Sequence, residues 1–150
     1  MMSNGFTRDT DDPFYDPRME TKSPMQDSKN AIELGGISIH AVDVSRGVPA
    51  AGLAVKLMLV EPSRKLVAEG VCTDTGHFEH PVAKGVGVTR GLYEVEFDVG
   101  AYFRNAEIQI PDPSFLDVAV FRFGIDAVKE HFHLPFKFTP WGFSLFRGGA

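Results

Sequence analysis

Period-two alternation is the feature that most narrows the folds open to this chain. From Gly91 to Val99, the apolar residues Tyr93, Val95, Phe97 and Val99 alternate with Leu92, Glu94, Glu96 and Asp98. A pleated strand sends those two sets to opposite faces, one buried and one wet, which a helix would not do. Similar runs fall near Ile37–Val44, Leu53–Val60, Leu66–Thr73, Asp117–Ile125, His131–Phe138 and Phe143–Arg147. Clusters of Gly, Pro and Asp separate them at a spacing of about ten residues, the pattern of an all-β sandwich. The expectation is two packed antiparallel sheets, a turn at Pro140–Gly142, and one short helix in the segment Asp98–Arg104. A chain of 150 residues suits one core, burying roughly 68–70% of its unfolded surface without staples.

Residues 1 to about 33 have a different texture. Asp9, Asp11, Asp12, Asp16, Glu20 and Asp27 mix with Arg8, Arg18, Lys22 and Lys29, and Pro13, Pro17 and Pro24 break any period. A flexible arm is expected there, with the folded domain over 34–150. The formal charge of −5 argues against a phosphate-backbone binder, whose affinity comes from Lys and Arg displacing counterions. No stretch approaches the ~20 apolar residues that span a bilayer, and the first residues are too charged for a signal peptide. These features predict a cytoplasmic protein without nucleic-acid or membrane partners. The single cysteine, Cys72, cannot close a disulfide within the chain. It is expected as a small buried thiol in a reducing compartment, with a catalytic cysteine as the alternative.

Histidine is the residue type here whose ordinary pKa lies near neutrality, so proton-transfer chemistry would recruit from His40, His77, His80, His131 and His133. Ile37, Ile39 and Ala41 share one face of the first strand, which leaves His40 opposite them with Ser38 and Val42. In His131-Phe132-His133-Leu134-Pro135-Phe136 the two histidines share a face, while Phe132, Leu134 and Phe136 point inward. Solvated or structurally bonded imidazoles would fit the same spacing. So would zinc, with His131 and His133 side by side and His40 as a third ligand, but no Cys pair accompanies them and no metal is assigned. His77-Phe78-Glu79-His80 lies at a turn. The chain lacks a Gly-x-Ser-x-Gly elbow, and Gly85-Val86-Gly87-Val88-Thr89-Arg90-Gly91 lacks the Gly-Lys-Ser/Thr end of a phosphate loop, reading instead as a hairpin connection.

Five ordered motifs then carry a resemblance. His40-Ala41-Val42-Asp43-Val44-Ser45-Arg46-Gly47-Val48-Pro49-Ala50 resembles the opening of the transthyretin-like hydroxyisourate hydrolases, H-V-L-D, three residues, G-x-P-A. Thr73-Asp74-Thr75-Gly76-His77 is similar to their T-D-x-D-G-R turn, and Tyr93 to Phe103 to their Y-x-x-x-F-x-T-G-x-Y-F. His131-Phe132-His133-Leu134-Pro135 resembles H-Y-H-V-P. The end, Pro140-Trp141-Gly142-Phe143-Ser144-Leu145-Phe146-Arg147-Gly148-Gly149, resembles P-Y-G-Y-S-T-Y-R-G-S. The resemblance covers roughly 34 to 149. It implies an eight-stranded transthyretin-like sandwich, assembled as a dimer of dimers with shallow sites where two dimers meet. It also implies cofactor-independent hydrolysis of a cyclic amide bond of hydroxyisourate, in purine breakdown. Matched by position, His40 and His133 handle protons, His131 is their neighbour, and Arg147 is the terminal-motif arginine.

The departures share a direction. His77 stands where the family has an arginine, after a one-residue contraction, so a forked permanent cation becomes a smaller group. Gly149 replaces the terminal serine, and Trp141, Phe143, Leu145 and Phe146 stand where the family carries Tyr, Tyr, Thr and Tyr. Each change removes a polar handle, and a site that loses hydrogen-bonding partners loses affinity for a polar substrate. The leading expectation is therefore a divergent acid/base enzyme that opens, closes or isomerises a less polar heterocycle. In it His40, His133 and Arg147 are catalytic, and His77, His131, Trp141, Phe143, Phe146 and Gly149 contact substrate, the aromatics by stacking. Core or interface packing of those aromatics is the structural alternative. Ordinary hydroxyisourate hydrolysis and a non-catalytic carrier of transthyretin type are the competing functions.

Overall fold

The alternating runs become strands in the computed structural model, which describes residues 35–149. In chain order they are β1 (Ile37–Asp43), β2 (Val48–Pro49), β3 (Ala54–Glu61), β4 (Lys65–Val71), β5 (Gly91–Asp98), β6 (Val118–Ile125), β7 (Phe132–Thr139) and β8 (Gly142–Leu145), with helix α1 (Val99–Asn105) after β5. One sheet has the order β2-β1-β7-β8 and the other β4-β3-β5-β6. The arm expected over residues 1–33 lies outside the described residues. Among the described residues, no helix is long and apolar enough to cross a membrane.

The all-β sandwich is as expected, with three local differences. The pairing of β1 with β7 is parallel, while every other strand pair is antiparallel. The whole second sheet intervenes between these two strands, and such a crossover lets the chain re-enter the first sheet in its original direction. The last strand stops at Leu145 and does not reach Arg147. Pro135, in the partner strand, has no N–H to give, and the β7–β8 ladder runs only from Thr139↔Gly142 to Phe136↔Leu145 before one isolated pair, His133↔Gly148. The glycine-rich stretch is not a hairpin connection. Gly85, with φ 93°, caps a 3-10 turn at Pro81–Lys84 that packs on β1, and the chain then crosses to β5 in the other sheet.

Alternation delivers the core. Ile37, Ile39 and Ala41 of β1, Tyr93, Val95 and Phe97 of β5, and Phe132, Leu134, Phe136 and Phe138 of β7 are all buried. Phe97 and Phe136 join the sheets, their rings nearly parallel with centroids 3.8 Å apart. Asp98 caps α1 by accepting from Ala101 N at 3.0 Å, which directs Tyr102 and Phe103 edge-on against Phe138. The end of β1 is fixed by a buried charge. The Asp43 carboxylate accepts from Ser45 Oγ, from Arg46 N and Nε, and from Tyr102 Oη at 3.2 Å. Burial by itself would raise its pKa, but the bonds from Ser45, Arg46 and Tyr102 outweigh burial and hold it below the ordinary 3.8.

Two stability outcomes are expected. Phe136→Ala opens a cavity between the sheets and should cost about 3–5 kcal/mol, read as a lower denaturant midpoint at an unchanged slope. Asp43→Asn should cost about 2 kcal/mol near neutrality, because bonds to an ionised acceptor are lost. A carboxyl with a depressed folded-state pKa stabilises above its unfolded value and stops doing so as pH falls through the folded one. The gap between wild type and Asp43→Asn should therefore be full at neutral pH and close below about pH 4 in melts recorded across acid pH.

Candidate active site

The outer face of the first sheet is where the parity of β1 and β7 sends their polar side chains. Ser38, His40 and Val42 occupy it from β1, and His133, Pro135 and Lys137 from β7. The parallel register sets Ser38 beside His133 and His40 beside Pro135. On the other side of β1, the segment 73–78 adds to the edge, with Ala41 N donating to Gly76 O at 2.8 Å and Phe78 N to Ile39 O at 3.1 Å. Gly76 has φ 79°, and a Cβ there would lie 2.4 Å from Ala41 O, so this close approach requires glycine. The segment brings His77 opposite His40, with ring centroids 4.4 Å apart. A cavity of about 560 Å³ opens beside them, lined by Ser38, His77, Glu79 and His80 among others.

Hydrogen bonds orient the imidazoles. Ser38 Oγ lies 2.7 Å from His131 Nε2 and 2.7 Å from His133 Nδ1. His131 Nδ1 bonds the Gly35 carbonyl, so both nitrogens of His131 are engaged by protein groups. That geometry takes His131 away from direct substrate contact and from service as a free zinc donor. His40 Nε2 donates to Thr75 O at 3.0 Å, leaving Nδ1 as its open nitrogen. His77 Nδ1 lies 2.9 Å from Thr75 Oγ1. Burial, followed by the neighbouring imidazoles of His131, His40 and His77, lowers the pKa of His133 below the ordinary 6.5. A lowered pKa favours the neutral form of this half-buried ring, the form that can accept a proton.

The terminal segment divides between two faces. Phe146 falls on the histidine face, continuing the register past Leu145, with Lys137 Nζ 6.0 Å from its ring centroid. Phe143 points to the inner side against Phe136, at 5.6 Å. Trp141 sits at the β7–β8 turn, 6.3 Å from Phe115. Phe143 and Trp141 therefore do not line the histidine site within this chain, because alternation and the turn carry them elsewhere. Arg147 makes no hydrogen bond to the side chain of His40 or His133 within this chain. Its guanidinium bonds Glu130 Oε2 at 3.1 Å and the His131 carbonyl at 3.4 Å and lies 4.1 Å from the centroid of Phe132, on the opposite side of its strand from Gly148. Gly149 is exposed with open space about it, whereas a Cβ on Gly148 would come within 3.0 Å of His133 Cδ2. Ser38 and Gly148 are thus site residues that motif matching passed over. The signal for Ser38 was its parity with His40, and for Gly148 the absence of a side chain beside His133. Cys72 is buried and that burial pushes its thiol up to about 11, the setting of a structural thiol and not of an activated thiolate.

Comparison with known proteins identifies the family. Residues 37–148 match the HIUase/Transthyretin family. A 5-hydroxyisourate hydrolase of Ralstonia nicotianae is 35% identical over 116 residues, which is 77% of this chain and 99% of that protein. The solved structure of Klebsiella pneumoniae 5-hydroxyisourate hydrolase matches at 30% identity with a TM-score of 0.63, covering 77% of this chain and 99% of the other. That of (S)-allantoin synthase matches at 33% identity and a TM-score of 0.73, covering 79% of this chain but 45% of that longer protein. With the family spanning both sheets and every histidine-bearing strand, the chain belongs to the HIUase/Transthyretin family.

Proposed function

We propose that this protein is a cofactor-independent acid/base hydrolase that opens a cyclic amide-like heterocycle, with His133 as the base. The observation that carries the reading is a half-buried His133, its pKa lowered by burial and by neighbouring imidazoles, on the same outer face of the sheet as His40. His133 Nε2 takes a proton from the attacking water, the hydroxide adds to the ring carbonyl, and the proton is delivered to the departing ring nitrogen as the C–N bond breaks. General acid–base assistance of this kind supplies about 10²–10⁴ in rate. His40, held through Nε2 by Thr75 O, presents Nδ1 as the second proton-handling nitrogen. His40 and His133 lie diagonally across the parallel β1–β7 pair, two positions apart in register on one face, so a single substrate can meet both imidazoles.

The substrate is proposed to be less polar than 5-hydroxyisourate. Support comes from two residues on the histidine face: His77, its ring tilted beside that of His40 where the family carries an arginine, and Phe146, which offers a flat apolar surface. Arg147 is held by Glu130 and Phe132, so no charge-stabilising role is assigned to it. A second reading, ordinary hydrolysis of 5-hydroxyisourate, is favoured by relatives of that name matched over nearly their full length. Freshly generated 5-hydroxyisourate separates the two: turnover well above the spontaneous rate favours the second, and a rate equal to buffer removes it. The shallow outer face would be closed by a second copy, so a homotetramer is part of the proposal, and light scattering giving a monomer mass would oppose it.

Two kinetic outcomes follow from the proposed roles. His133→Ala should lower kcat about 10²–10⁴-fold on the true substrate, with His40→Ala reduced in the same direction, and full turnover by both variants would refute the reading. Because the pKa of His133 is lowered, the base stays unprotonated across neutral pH. Activity, as kcat/KM of the free enzyme, should therefore be flat there and decline only on acidification below the ordinary histidine value of 6.5.

A further inference from the structure

One hydroxyl sits between two imidazoles, with Ser38 Oγ 2.7 Å from both His131 Nε2 and His133 Nδ1. A hydroxyl has a single proton, so it donates to one ring and must accept from the other. The far end of the chain of bonds decides which. The Gly35 carbonyl can only accept, so His131 Nδ1 carries a proton. In the neutral ring Nε2 is then an acceptor, and Ser38 donates to it. Ser38 accepts in turn from His133 Nδ1–H, which leaves His133 Nε2 without a proton. We propose that Ser38 and His131 are positioning residues that lock His133 in its Nδ1–H tautomer and so aim a lone pair from Nε2 into the site. The inference deepens the function proposed above and rests on it for its catalytic meaning, though the tautomer itself requires no substrate.

The same bonds give the proton a route. As His133 Nε2 accepts a proton from water, the Nδ1 proton passes to Ser38 Oγ and the hydroxyl proton passes to His131 Nε2. The positive charge then rests on His131, whose two N–H groups face the Gly35 carbonyl and Ser38 Oγ. His133 is left neutral with a proton on Nε2, the form that donates to the departing nitrogen. The reverse shift restores the starting state, so the proton taken from water ends on the product and none is gained or lost. Tautomer control of this kind is a large kinetic lever, since an imidazole protonated on the wrong nitrogen cannot act as a base where it is needed.

Nitrogen-15 NMR of the full-length protein with labelled histidines, at about pH 8 where ordinary imidazoles are neutral, reads each tautomer directly. The expected result is Nδ1–H on both His131 and His133. A proton on Nε2 of His133 in the wild type would overturn the proposal. Ser38→Ala should shift His133 toward the Nε2–H form and lower kcat on 5-hydroxyisourate or the true substrate by about 10²–10³-fold, with KM little changed. Ser38→Thr, which keeps the hydroxyl, should restore both signals. Wild-type tautomer and turnover in Ser38→Ala would overturn the relay even if the functional reading stands. The expected tautomers in a protein that turns over none of the cyclic amides offered would instead remove the functional reading and leave the positioning device in place.

Discussion

The parallel pairing of β1 with β7 is the constraint on which the site depends. It joins two strands separated in sequence by the entire second sheet, and its register sets Ser38 against His133 and His40 against Pro135. A slip of one residue would exchange the faces of a strand, driving imidazoles into the apolar layer and phenylalanines into water. The inner residues forbid it, because Ile37, Ile39, Ala41, Phe132, Leu134, Phe136 and Phe138 are buried together. Packing of the core therefore specifies the chemistry on the other side of the same sheet, and the hydrophobic layer acts as the template for the polar one.

Polar satisfaction refines what packing begins. The described residues contain no buried side-chain nitrogen or oxygen without a partner, and around the histidines each partner does more than remove a desolvation cost. Thr75 O fixes which nitrogen of His40 is open, Gly35 O fixes which nitrogen of His131 donates, and Ser38 transmits that choice to His133. The glycines serve the same end by subtraction. Gly76 lets the 73–78 segment lie close enough to β1 to present His77, and Gly148 lets the terminal segment close over His133. A methyl group at either place would have to push aside a backbone carbonyl or the edge of an imidazole.

Much of this was legible in the sequence because alternation is a local signal. It located seven of the eight strands named above and the helix to within a residue or two at most ends, and it set His40, His131 and His133 on a non-core face with Ser38. β2 escaped because two exposed residues carry no period. The parallel sense of β1 and β7 escaped because direction is fixed by the crossover and leaves no mark on either strand. The terminal aromatics were grouped by composition, whereas alternation separates Phe146 from Phe143 and the turn removes Trp141. Arg147 was assigned by motif position, but its partners, Glu130 and the ring of Phe132, precede β7 or open it and could only be matched to it once the β7–β8 register was known.

Replacement of a permanent cation by His77 changes the balance of forces on the whole cluster. An arginine remains charged at every accessible pH, whereas an imidazole beside His40 contributes charge only when protonated, and each protonation disfavours the next. Burial, and after it the neighbouring imidazoles of His131, His40 and His77, lowers the pKa of His133. Neutral rings can stack, accept protons and tolerate an apolar neighbour such as Phe146, but they hold an anion less firmly than a guanidinium.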